Sequence, residues 1–193
     1  MRVTTALKEP LPDVDRAVTV GAFDGLHMGH QYLIRRTHAE AATRAMESAV
    51  LTFEPIPHEF FAPRTGGRHR LTTREERVHL IAQMGVDRLV IVEFNEDFSR
   101  LSPREFAGDI LRDHLNTRVL VAAENHHMGA NAEADVNDMR QLGAELGFDV
   151  VVAPLVSLSD TRVSSTQIRH LLRKGNVSEA AALLGRCYTL AGT

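Results

Sequence analysis

Short apolar runs alternate with longer segments of mixed polarity along this chain of 193 residues. The runs are rich in Val, Ile, Leu and Ala, which is typical of strands that are buried on both faces of a parallel sheet. They cover residues 17–20, 49–53, 88–94, 118–123 and 148–155. We therefore predict that these five segments are strands of a buried sheet.

The segments between these runs have the spacing of amphipathic helices. Residues 30–46, 73–84, 103–115 and 136–146 carry apolar side chains at intervals of three and four. Strands that alternate with crossover helices predict an α/β fold with a doubly wound parallel sheet. Residues 55–70 and 125–134 lack this spacing and each follow a predicted strand. We expect both to be irregular and to lie at the carboxyl edge of the sheet, where ligands bind.

Composition and charge narrow the class of protein. The chain has 22 Lys and Arg residues against 25 Asp and Glu, a net charge of −3, so no strong field attracts nucleic acid or an anionic membrane. It has one cysteine, no leader pattern and no long apolar run. We expect a single cytoplasmic domain over residues 1–193, without nucleic acid or membrane partners. The pattern does not indicate an oligomeric state.

The first candidate site is the sequence GAFDGLHMGH at residues 21–30, between a predicted strand and a predicted helix. Gly21 and Gly25 allow the backbone to approach a ligand, and a helix N-terminus attracts phosphate. His27 and His30 are three residues apart, so both imidazoles can donate hydrogen bonds to oxygens of one phosphate. This pattern indicates phosphoryl or nucleotidyl transfer. The alternative is a loop histidine followed by a helix-capping histidine.

The second candidate site is the sequence VSSTQIR at residues 163–169, after the last predicted strand. The hydroxyls of Ser165 and Thr166, with free helix amides, could bind phosphate oxygens, and Arg169 adds a forked cation one turn later. The alternative is an ordinary helix cap with a solvated arginine. If the first and last strands are close together, the two helix starts would flank one triphosphate.

The chain resembles a known family along almost its whole length. The sequences GAFDGLHMGH, TFEPIP at 52–57, VSSTQIR and GNVSEAAALLGR at 175–186 are similar to the adenylyltransferase module of bacterial bifunctional riboflavin kinase/FAD synthetases. The resemblance implies a Rossmann-like sheet of the HxGH nucleotidyltransferase type. It also implies that the phosphate of FMN attacks the α-phosphorus of ATP with the help of Mg²⁺, without a covalent intermediate on the protein.

The resemblance assigns roles to particular residues. It implies that His27 and His30 stabilise the α-phosphate, and that Ser165, Thr166 and Arg169 hold the triphosphate. The further substrate-binding residues that we predict are Gly21, Phe23, Asp24, Gly25, Gly29, Asn125, Met128 and Ser164. The sequence contains no carboxylate cluster suited to an all-protein Mg²⁺ site. We therefore expect the triphosphate to carry the cation, and Asp24 to be either its nearest protein contributor or a structural residue of the turn.

The chain departs from the family pattern at several positions. Ile56 replaces the usual His of the second motif, and His58 follows two residues later. His126 and Met128 replace two aromatic residues that suit a flavin pocket. These changes leave two alternatives: an adenylyl- or cytidylyltransferase for another phosphate or phosphonate, and a catalytically weak nucleotide- or flavin-binding module. The family's riboflavin kinase domain would begin after Arg186, so we expect it to be absent.

Overall fold

A parallel sheet forms the centre of the molecule in the computed structural model, which describes residues 1–5, 7, 11–62, 70–158 and 161–190. Its strands are β1 (Arg2–Thr4), β2 (Arg16–Val20), β3 (Glu47–Glu54), β4 (Arg88–Glu93), β5 (Thr117–Ala123) and β6 (Asp149–Ala153). They are arranged in the order β1-β4-β3-β2-β5-β6. The chain moves outward from β2 to β4 on one side and then from β5 to β6 on the other. The doubly wound sheet predicted from the sequence is therefore confirmed.

Helices and short elements connect the strands. The helices are α1 (Met28–Thr43), α2 (Pro57–Phe60), α3 (Arg74–Ala82), α4 (Glu96–Ser99), α5 (Pro103–Glu105), α6 (Val136–Leu146), α7 (Ser165–Arg173) and α8 (Val177–Leu184). A π-helix (Phe106–His114) continues α5, and a 3₁₀ turn (Ala130–Ala132) precedes α6. An antiparallel pair, β7 (Ser157–Leu158) and β8 (Thr161–Arg162), precedes α7.

The core is divided by the sheet because successive side chains of a strand point to opposite faces. In β4, Val90 and Val92 pack with the π-helix and α6, whereas Leu89 and Ile91 pack with α1 and α3. A further apolar cluster joins α7 to α8 through Ile168 and its neighbours. Ser165, at the start of α7, donates to the carbonyl of Asp24 in the loop after β2, so α7 lies beside the carboxyl edge of the sheet.

Several predicted elements differ from those observed. Residues 103–115 form α5 and a π-helix instead of one α-helix, a difference that apolar residues at intervals of three and four do not indicate. The segment 55–70 was expected to be irregular but contains α2, and its residues 63–69 lie outside the described part of the chain. Likewise, 125–134 contains a 3₁₀ turn. Strands β1, β7 and β8 were not predicted because two or three residues show no periodicity.

A buried ion network holds the amino ends of the central strands together. Arg16 is fully buried, and its guanidinium donates to Glu47 at 2.7 Å and to the carbonyl of Leu115 at 2.9 Å. Arg88 forms a second ion pair with Glu47 at 3.0 Å. Since these residues belong to β2, β3, β4 and the turn before β5, the network links four adjacent parts of the sheet.

We expect Arg16→Ala to lower the free energy of unfolding by ~3 to 5 kcal/mol, because it leaves the Glu47 carboxylate without its closest partner. The control is Arg118→Ala, which removes an exposed pair with Asp15 and should cost about 1 kcal/mol or less. Urea unfolding of both variants measures the difference. Equal losses would show that the buried network does not stabilise the sheet.

Candidate functional site

The candidate site lies at the switch point of the sheet, where strands are added on one side of β2 as far as β4 and then on its other side from β5. Strands β2 and β5 are adjacent and parallel, and their carboxyl ends form the edge at which α/β proteins bind ligands. The loop from β2 to α1 has an unusual backbone, since Phe23, Gly25 and Leu26 have φ values of 50°, 79° and 38°. Left-handed conformations are costly for residues other than glycine. This loop must therefore be held by its surroundings.

Asp24 supplies the main anchor of the loop. Its carboxylate accepts the backbone N–H groups of Leu71 at 2.8 Å and Thr72 at 3.2 Å, and it also pairs with Arg169 of α7. The hydroxyl of Thr72 in turn accepts the N–H of Gly25 at 3.0 Å. The loop is thereby fixed to the segment before α3 and to α7.

The carbonyl groups of the same loop are held by side chains from four helical regions. The donor and acceptor pairs are Arg77 with Ala22 (3.0 Å), Ser165 with Asp24 (2.8 Å), Arg186 with Gly25 (2.9 Å) and Gln31 with Leu26 (3.0 Å). Because the donors belong to α3, α7, the residues after α8, and α1, the loop geometry depends on segments far apart in sequence.

The two histidines lie together at the start of α1. Nδ1 of His27 accepts the N–H of His30 at 3.3 Å, so the proton of a neutral His27 is on Nε2. The two rings stack with their centroids 3.6 Å apart. Burial, reinforced by the charges of Arg169 and Arg186, lowers the pKa of His27 to about 4. Burial and the nearby His27 and His126 lower the pKa of His30 well below its usual value. At neutral pH both rings are therefore uncharged hydrogen-bond donors.

One cavity of about 270 Å³ opens beside these histidines. The predicted residues that line it are Gly21, Phe23, His27, Gly29, His30, Asn125 and Ser164. Tyr32 and Arg162, which were not predicted from the sequence, also line it. Tyr32 adds an aromatic ring from α1, and Arg162 adds a cation from β8. The two meet only because α1 and the β7–β8 pair border the same cavity.

A second cavity of about 320 Å³ is lined by a group of aromatic residues. Among the described residues, five phenylalanines line it: Phe53, Phe61, Phe94, Phe98 and Phe106. Met128 and His126 line it as well, so the two positions that depart from the family pattern do face this cavity. Positions 126 and 128 lack the phenyl rings of the family pattern, but the five phenylalanines, which lie at or after β3 and β4, give the cavity its aromatic surface. No pattern in the sequence indicates this group, because its members lie in separate segments.

The two cavities meet at a common wall. Both are lined by Val20, Gly21 and Ala22 at the end of β2 and by His126 after β5. Asn125 faces only the first cavity and Met128 only the second. Two ligands bound in these cavities would therefore approach each other beside the paired histidines.

The remaining predicted residues support the site instead of lining either cavity. Asp24 and Gly25 belong to the anchored loop, and the hydroxyl of Ser165 donates to the carbonyl of Asp24. Thr166 is exposed at the start of α7. Arg169 pairs with Asp24, so its predicted contact with a triphosphate would begin from this ion pair.

His58 reaches the site although it is displaced by two residues from the family position. Its Nε2 atom lies 3.4 Å from Arg169, and burial and the charge of Arg169 lower the pKa of His58. Ile56, at the position of the family's histidine, is buried. The short helix α2 thus turns His58 towards Arg169.

The described residues give no sign of a metal cage or a membrane anchor. No group of three or more His, Cys, Asp or Glu residues in this part of the chain is placed to hold a metal ion. Within the same ranges, no helix is long and apolar enough to cross a membrane.

A parallel sheet whose β2 end presents two neutral histidines at a helix start defines the HxGH class of α/β nucleotidyltransferases. Sequence comparison identifies the family within this class. The model of the FAD synthetase family matches residues 11–167, and the chain belongs to this family.

Curated relatives are bacterial bifunctional riboflavin kinase/FMN adenylyltransferases. The protein from Pseudomonas fluorescens is 36% identical over 174 residues, which are 90% of this chain and 55% of the relative. The protein from Escherichia coli K12 is 33% identical over 181 residues, which are 94% of this chain and 58% of the relative. The chain thus spans just over half the length of these relatives.

Solved structures share the same fold. A Streptococcus pneumoniae protein described as a macrolide-efflux protein superposes with a TM-score of 0.82 at 26% identity, over 96% of this chain and 60% of its own. The pantoate-β-alanine ligase of Francisella tularensis has a TM-score of 0.55 at 15% identity, over 95% of this chain and 86% of its own. The second similarity shows a common fold alone.

The buried state of His27 predicts a pH effect on stability. Its pKa is about 4 in the folded protein and ~6.5 in an unfolded chain, so the unfolded chain binds more protons between these values. Stability is fully present above pH ~6.5 and decreases as the pH falls towards 4. His27→Asn keeps a capping side chain but removes the titrating ring. As the pH falls through this range, the free energy of unfolding of His27→Asn should decrease less steeply than that of the wild type. The two slopes should differ by up to ~1.4 kcal/mol per pH unit.

Urea unfolding of the wild type and His27→Asn between pH ~5 and ~7.5 measures these slopes. Parallel slopes for the two proteins would contradict a buried, neutral His27.

Proposed function

We propose that this chain is an FMN adenylyltransferase, which joins the adenylyl group of ATP to FMN and forms FAD and pyrophosphate. The main support is the meeting of a histidine-lined cavity and an aromatic cavity at one wall. Family membership and the FMN adenylyltransferase names of the curated relatives agree with this proposal.

The first cavity is the proposed site of ATP. Its triphosphate lies near the start of α1, where free amides and the positive end of the helix favour an anion. Ser164, Ser165 and Thr166 of the α7 start are adjacent, and Arg169 and Arg186 add positive charge close to His27. We propose that these groups bind the β- and γ-phosphates while His27 and His30 face the α-phosphate.

The second cavity is the proposed site of FMN. Its phenylalanines offer a broad apolar surface for a flat isoalloxazine ring, which aromatic side chains bind by stacking or edge contacts. A small phosphate or phosphonate would leave most of this surface uncovered. With the ring in the aromatic cavity, the phosphate of FMN points to the common wall and towards the histidines.

The transfer then needs no base on the protein. An oxygen of the FMN phosphate forms a bond to the α-phosphorus as the bond between that phosphorus and the α,β-bridging oxygen breaks, and pyrophosphate leaves. A phosphate monoester has its second pKa near ~6 and is largely ionised at neutral pH. Charge on the α-phosphate oxygens is stabilised by neutral N–H donors such as Nε2 of His27. Magnesium enters as the MgATP substrate and neutralises phosphate charge.

Purified protein with MgATP and FMN should release pyrophosphate and form FAD, and excess chelator should stop the reaction. We expect His30→Ala to lower kcat by ~10² to 10³, because it removes one donor to the transition state. His79→Ala, at an exposed position of α3, is the control and should retain wild-type turnover.

CTP and a panel of small phosphates, tested in the same assay, show whether another donor or acceptor is preferred. Turnover of FMN in chelator, or a folded His30→Ala protein with near-normal kcat, would contradict the proposed mechanism.

The aromatic cavity makes a separate prediction about FMN affinity. Phe61 is 67% exposed and lines the cavity, whereas its neighbour Phe60 is 37% exposed and does not. Phe61→Ala should weaken FMN binding by ~0.5 to 1.5 kcal/mol through lost aromatic contact, and Phe60→Ala should have a much smaller effect. Fluorescence titration of FMN measures both. A larger loss in Phe60→Ala than in Phe61→Ala would place the flavin elsewhere.

A further inference from the structure

The turn after β5 divides the two cavities residue by residue. Asn125 lines the first cavity, His127 and Met128 line the second, and His126 between them lines both. The backbone N–H of His126 donates to the carbonyl of Ala123 at 2.9 Å, which ties this turn to the end of the strand. The backbone of His126 is therefore fixed at the end of β5, and the residue lies at the boundary between the cavities.

The rest of the common wall has no polar side chain. Val20, Gly21 and Ala22 are the other described residues that line both cavities, and none of them carries a polar side-chain group. Because β2 and β5 are hydrogen-bonded neighbours, the ends of these strands face each other. His126 is also close enough to His30 to lower the pKa of that residue. A ligand oxygen at the boundary would thus lie beside the imidazole of His126.

The chemical state of His126 suits a hydrogen-bond donor. Burial, with a smaller effect of the charge of His127, lowers the pKa of His126 to about 4, so its ring is neutral at pH 7 and carries one N–H group. No hydrogen bond of the His126 ring occurs within the described ranges. In contrast, Nδ1 of His127 donates to the carbonyl of Asn125 at 3.1 Å.

We propose that His126 binds an oxygen of the acceptor's phosphate at the boundary of the two cavities. The identity of the acceptor rests on the proposed function. Phosphate oxygens only accept hydrogen bonds once ionised, so the wall must provide a donor, and His126 provides one next to His30. The contact orients the attacking oxygen towards the first cavity. A family-typical aromatic ring at this position could pack against the flavin but could not make this contact.

The test compares the affinities of FMN and riboflavin, which differ by the phosphate. Fluorescence titration gives the ratio of the two dissociation constants for the wild type and for His126→Phe, His126→Gln and His127→Phe. A ratio cancels any change in ring stacking, because both ligands carry the same ring. The preference for FMN should fall by about tenfold in His126→Phe, as expected for a lost hydrogen bond to a charged group.

The other variants separate hydrogen bonding from structure. His126→Gln keeps an N–H donor and should recover most of the preference, and His127→Phe, which changes only the second cavity, should match the wild type. His126→Leu replaces the Phe variant if circular dichroism shows that the latter is misfolded. An unchanged preference in the folded variant without a donor, or no preference in the wild type, overturns the proposal.

FAD formation by the wild type separates this proposal from the proposed function. If FAD forms but the preference is unchanged in His126→Phe, the role of His126 fails and the adenylyltransferase stands. If the preference behaves as expected but no FAD forms, the phosphate contact stands and the proposed reaction fails.

Discussion

The carboxylate of Asp24 is the interaction on which the geometry of this site depends. It joins a loop with left-handed residues to the backbone of Leu71 and Thr72 and to Arg169. A buried carboxylate is tolerated only when hydrogen bonds and an opposite charge compensate for lost hydration. The segments around Asp24 must therefore come together for it to be buried at all. Because these contacts fix the loop, they also fix the positions of the two histidines that follow Asp24.

The electrostatic state of the site agrees with the chemistry that its shape suggests. Burial keeps His27, His30 and His126 uncharged, so they can donate hydrogen bonds without adding three like charges in a small space. The positive charge comes instead from Arg169 and Arg186 at one side. A site of this kind stabilises an anionic transition state and has no need to remove a proton from an acceptor that is already ionised.

The sequence predicted those parts of the structure that depend on local pattern. The β2 strand, the histidine pair at the start of α1 and the alternation of strands and helices were predicted because each has a periodicity or a spacing. The aromatic cavity was not, although Phe53 and Phe94 both fall near the ends of predicted strands. Their convergence requires the order β4-β3-β2-β5, which alternation alone does not give.

Contacts between distant residues account for what the sequence did not predict. The role of Ser165 in binding phosphate stays a prediction, but the sequence did not indicate that its hydroxyl donates to a carbonyl 141 residues away. Asn125 and Met128 were grouped as one loop, and the structure places them in different cavities. Contacts between residues so far apart in sequence leave no short-range pattern from which they could be predicted.

The anchoring of the loop also has a consequence for the order in which a newly made protein matures. Residues 21–30 leave the ribosome before the last strand of the six-stranded sheet, which ends at Ala153. Yet the carbonyls of Asp24 and Gly25 find their donors in Ser165 and Arg186. A nascent chain can therefore pair its strands while the histidine turn still lacks these partners. This turn therefore leaves the ribosome well before the residues that hold its carbonyl groups.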